Sequence, residues 1–64
     1  MQTYILFWSP EGRPIGYCEA DNAKSALKRT PKPYRRYMGE VYAQTLEEYE
    51  RTIGVFNFNR TVRV

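Results

Sequence analysis

A chain of 64 residues carries ten basic residues against seven acids, for a net charge of +3, with 16% aromatic residues, one cysteine and no histidine. A domain of this length buries only about 60% of the surface its unfolded chain exposes, which limits it to one small core. An intrachain disulfide is excluded, and a lone thiol without histidine cannot build the ligand set that zinc takes.

Scaffolds this small lean on disulfides, metal, oligomerisation or dense packing. Aromatic rings, each worth about 150–250 Å² of buried surface when enclosed, are the resource this composition offers. The expectation is an aromatic-rich core, completed by a second copy of the chain. No repeat, linker or low-complexity stretch interrupts the sequence, so residues 1–64 read as one domain.

In chain order, Thr3 to Trp8 is rich in β-branched and aromatic residues and runs into Ser9-Pro10-Glu11-Gly12, which reads as a strand and turn. The same segment lacks the basic lead of a signal peptide and the length of a membrane span. Arg13 to Ala20 follows closely enough to be its hairpin partner, with Ile15, Tyr17 and Glu19 on one face and Gly16, Cys18 and Ala20 on the other. The small residues leave room for a helix.

Asp21 or Asn22 is a suitable N-cap for that helix, and Ala23, Ala26 and Leu27 recur at helical spacing. Thr30-Pro31-Lys32-Pro33 stops it, because proline donates no amide hydrogen and drives its predecessor out of the α region. A further turn is expected over Tyr34 to Met38, closed by Gly39. Glu40 to Gln44 reads as a third strand, with Val41 and Ala43 inward and Tyr42 outward. Thr45-Leu46-Glu47-Glu48 has capping-box spacing, and Leu46, Tyr49 and Ile53 continue as a second helix that closes at Gly54. From Val55 to Val64 the residues alternate, with Phe56, Phe58, Val62 and Val64 on one side, which predicts a fourth strand broken near Asn59-Arg60. The order β-β-α-β-α-β implies an α+β fold: a single-layer, largely antiparallel sheet of four strands with two short helices on one face.

Catalytic equipment is scarce. Nucleophilic and general-base catalysis most often use histidine, and the one thiol, Cys18, falls mid-strand among small residues, where a core role fits better than a reactive one. Glu47, Glu48 and Glu50 suit the start of a helix, whose dipole they complement. The glycines are scattered at turns and element ends, with no phosphate-cradling loop. The sequence therefore predicts no enzyme activity, no catalytic residue, no metal site and no cofactor.

The segment Lys24 to Tyr37, KSALKRTPKPYRRY, has a different character. It holds six of the ten basic residues and no acid, and the acids Glu40, Glu47, Glu48 and Glu50 follow it. The molecule is thus expected to be electrically polar. Clustered cations neutralise phosphates while interleaved aromatic rings stack on exposed bases. On this basis Lys24, Lys28, Arg29, Lys32, Tyr34, Arg35, Arg36 and Tyr37 are the candidate contacts for DNA or RNA. The bland alternative is a solvated helix face and loop whose two tyrosines pack into the core.

A rival reading starts from the aromatic strands. If both helices cover one face of the sheet, Tyr4, Trp8, Tyr17 and Tyr42 mark an uncovered aromatic face that would contact a protein partner or a second copy. The expectation is a non-catalytic nucleic-acid-binding module, with a protein-interaction module, an adaptor or inhibitor, as the alternative. Its single cysteine fits a reducing, cytoplasmic setting, and no membrane association is expected.

Overall fold

The computed structural model describes every residue from Met1 to Val64. Three antiparallel strands form the sheet: β1 Gln2–Trp8, β2 Arg13–Ala20 and β3 Val41–Thr45, in the order β2-β1-β3. Helix α1 spans Ala23–Leu27, a kinked 3-10 segment Lys32–Glu40 follows, and helix α2 spans Leu46–Thr52. The α+β class is as expected; the fourth strand is not formed.

β1 is central, and its run from Tyr4 to Phe7 is buried on both faces. This explains why its sequence is apolar without interruption, since alternation is needed only where one face meets water. On the first face Tyr4, Leu6, Cys18, Ala20 and Val41 pack with Ala26 of α1, and Trp8, Leu27 and Tyr34 close the margin. On the second face Ile5 and Phe7 pack with Phe56, flanked by Tyr17 and by Leu46 and Tyr49 of α2. The two helices therefore lie on opposite faces, and the molecule has three layers rather than a sheet with one open side.

Local chemistry accounts for each helix. The Asn22 side chain accepts from the Ser25 amide at 2.8 Å to cap α1, and Thr45 Oγ1 accepts from the Glu48 amide at 3.1 Å to cap α2. α2 ends before Gly54, whose φ of 133° is one that side chains with a Cβ avoid. The turn beyond the Pro-Lys-Pro corner is longer than expected. It runs as a 3-10 segment past Gly39 to Glu40 with a kink at Tyr37, so Gly39 does not close it.

Two placements differ from the simple alternation of strands. The β1–β2 register shifts between Leu6 and Phe7, pairing Leu6 with Gly16 but Phe7 with Pro14. Ile15 is the extra residue of that irregularity and joins Cys18's cluster instead of Tyr17's. After α2, Phe58–Arg60 forms a 3-10 turn in which the Asn57 side chain accepts from the Asn59 amide at 3.0 Å, and this breaks the alternation. Phe56 and Val64, expected on one side, consequently reach opposite core clusters. The last residues form no ladder with β2, only a single parallel bridge from Tyr17 to Arg63.

Candidate nucleic-acid interface

α1 and the 3-10 segment carry the basic residues over the first face, whereas α2 carries Glu47, Glu48 and Glu50 over the second. The sheet thus separates the basic segment from the acids of α2, while Glu40 stays with the 3-10 segment. All six cations of the basic segment are exposed, and none forms a salt bridge. The ion pairs of the molecule are Met1 with Asp21, Arg13 with Glu11, and Arg63 with Glu19.

The six are not equivalent. Arg29 donates to the main-chain oxygen of Val64 at 3.1 Å, and Arg35 Nε donates to the carbonyl of Thr30 at 3.1 Å. Both arginines tie the fold together. Lys24, Lys28, Lys32 and Arg36 make no side-chain hydrogen bond and present their charges to solvent.

Tyr34 and Tyr37 pack against Trp8, with ring centroids 5.2 and 5.5 Å away. Tyr34 is half-buried, and its hydroxyl accepts a 3.3 Å hydrogen bond from Arg13. Tyr37 remains 48% exposed beside the cations. The tyrosines of the segment are therefore partly core, and Tyr37 alone keeps a substantial free surface.

Sequence reasoning did not single out Arg13, Tyr49 or Arg60. They line an open groove of about 560 Å³ with Tyr34 and Phe56, beside the 3-10 turn after α2. Arg13 comes from the start of β2 and Arg60 from that turn, so no spacing in the chain announces their meeting. Tyr34 belongs to both the groove and the Trp8 cluster, which makes the groove continuous with the basic layer.

Of the residues assigned to an uncovered aromatic face, Tyr4 is enclosed in the first core cluster. Tyr17 is roofed edge-on by Phe56 and Phe58, and Trp8 is half-buried. Tyr42 is 45% exposed and stacks on Phe7 with centroids 5.0 Å apart. The open face expected from the sequence is occupied by α2 and the residues after it.

Cys18 is 1% exposed, and its thiol points at the carbonyl of Ala26 at 3.9 Å. Burial pushes its pKa up, and the charges of Arg29 and Arg63 offset part of that rise. Its surroundings are those of a structural thiol. No group of three or more His, Cys, Asp or Glu side chains is placed to hold a metal ion, and no helix is long and apolar enough to cross a membrane. Compared with protein-family models, curated proteins and solved structures, the chain shows no match.

Proposed function

We propose that the chain is a non-catalytic binding module that grips a nucleic-acid backbone through Lys24, Lys28, Lys32 and Arg36, with the exposed ring of Tyr37 beside them for stacking. The observation that carries this reading is the set of four exposed cations without an acidic or hydrogen-bonding partner, on the layer opposite the acidic helix. Cations already neutralised within a fold gain little by meeting phosphate, whereas unpaired ones release the counterions of the nucleic acid. Arg60 extends the positive surface into the groove that Tyr34 borders, whereas Arg13 in the same groove is paired with Glu11. A cytoplasmic setting belongs to the same proposal and rests on the lone reduced cysteine.

The test is titration of a short mixed-sequence single strand and of a duplex in low salt. Binding by the parent chain, lost in Lys28→Glu/Arg36→Glu with an unchanged circular dichroism spectrum, supports the assignment. Failure of the parent to bind either probe overturns it.

A further inference from the structure

The two edges of the sheet are finished differently. On the β2 side, the Tyr17 amide donates to the Val62 carbonyl at 3.1 Å and the Tyr17 carbonyl accepts from the Val64 amide at 2.8 Å. The chain thus covers its own edge there. β3 pairs with β1 alone.

The phase of the β3 ladder fixes which groups are left. The Ser9 amide donates to the carbonyl of Glu40 at 2.7 Å. In the same antiparallel register Phe7 faces Tyr42 and Ile5 faces Gln44, so these alternate pairs are the ones that exchange main-chain bonds. The outward bonds of Tyr17 on β2 agree with this alternation. Val41, Ala43 and Thr45 therefore turn their amides and carbonyls away from β1.

Two of those six groups are already satisfied. The Val41 amide donates to the Met38 carbonyl, and Thr45, as the N-cap of α2, gives its carbonyl to the first bond of the helix. What remains is the Val41 carbonyl, both groups of Ala43 and the Thr45 amide. No turn, loop or side-chain hydrogen bond uses them, and in this phase the ladder to β1 bonds only Tyr42 and Gln44.

We infer that this edge pairs with the β3 edge of a second copy of the chain, antiparallel about a two-fold axis at Ala43. That axis sets Ala43 opposite its own image, giving two bonds, and sets each Val41 carbonyl opposite the partner's Thr45 amide, giving two more. The unsatisfied groups are self-complementary in this register, and sliding the strands by two residues would set the occupied Val41 amide or Thr45 carbonyl against a partner that needs it free. Side chains agree with the pairing. β3 has no charge, no proline and no bulge, three of the devices that blunt an exposed edge. On the α2 face the half-exposed ring of Tyr42 lies opposite Gln44 of the partner subunit, where a cross-strand neighbour covers it. Because residues opposite one another in an antiparallel ladder share a face, the two basic layers end on the same side of a continuous sheet.

Light scattering and amide exchange test this without nucleic acid. The parent is expected at twice its monomer mass near about 200 μM, with dissociation on dilution and a melting midpoint that rises with concentration. The Ala43 and Thr45 amides should gain protection from exchange with concentration, whereas the Val41 amide, already bonded, should not. Tyr42→Lys/Gln44→Lys sets like charges across the axis and should yield monomers, and Tyr42→Lys/Gln44→Glu should restore the dimer. A monomeric parent at that concentration overturns the inference. So does a dimer in which neither the charge pairs nor the protection of Ala43 and Thr45 responds.

Discussion

Arg35 Nε donates a 3.1 Å hydrogen bond to the main-chain carbonyl of Thr30, a residue only 1% exposed. Thr30 Oγ1 in turn donates to the carbonyl of Leu27 at 2.6 Å, so the corner between α1 and the 3-10 segment is bonded from both directions. One of the two adjacent arginines is thus structural, while Arg36 beside it is free. Arg35→Ala strands a carbonyl of a buried residue and is expected to cost about 1–3 kcal/mol. Arg36→Ala, an exposed change with no lost bond, should stay within about 0.5 kcal/mol of the parent. Urea midpoints decide it, and equal values for the two variants would remove the structural role of Arg35.

The four free cations set the salt dependence of the proposed binding. If each reaches one phosphate of a duplex, log K should fall against log salt with a slope of about −3.6, a loss of roughly two decades between about 50 and 200 mM. Lys24→Gln should flatten the slope by about 0.9 while Arg13→Gln leaves it less changed. A slope near zero would mean that the contact is not with phosphate.

Gly16 faces the last residues at close range. A Cβ there would stand 2.9 Å from Val64 Cγ1 and 3.2 Å from its Cγ2. Gly16→Ala should therefore displace Val64 from β2 and destabilise by about 1–3 kcal/mol, the usual penalty of overpacking. Val64→Ala clears both contacting methyls, so the double variant should recover part of the loss. Strictly additive effects in the cycle would show that the contact carries no strain.

Cys18 gives the stability a defined pH dependence. Burial raises the folded-state pKa, so between the unfolded and folded values the native state holds the proton that the unfolded chain releases. Its stabilising contribution is complete well below the free-thiol pKa of about 8.5 and is lost as pH climbs from there through the folded value. The parent should lose stability over this range relative to Cys18→Ala, by at most about 1.4 kcal/mol per pH unit. The comparison cancels every contribution common to the two proteins. Parallel pH profiles of the two proteins would contradict the assignment, as would rapid labelling of the thiol at neutral pH.

Elements whose causes are local were legible in the residues alone. The hairpin of β1 and β2, the caps at Asn22 and Thr45, the stop at Thr30-Pro31 and the close of α2 before Gly54 each depend on residues within a few positions of one another, as does the clustering of charge along the chain. The uninterrupted run of Tyr4 to Phe7 put apolar side chains on both faces of its strand without saying that the chain itself covers both.

What covers those faces depends on segments distant in the chain. α2 crosses to the face opposite α1 because Ile5 and Phe7 have to be roofed there, by Leu46 and Tyr49 of that helix, while the small residues Cys18 and Ala20 admit α1 on the other. Alternation after Val55 suggested a strand, but Asn57 turns the chain, and Phe56 and Val64 find separate cores. Which cations are free was equally illegible, since the partners of Arg29 and Arg35 are main-chain carbonyls that any residue type supplies. The open edge of β3 follows from strand order and hydrogen-bond phase, and both arise only when segments distant in the chain are paired.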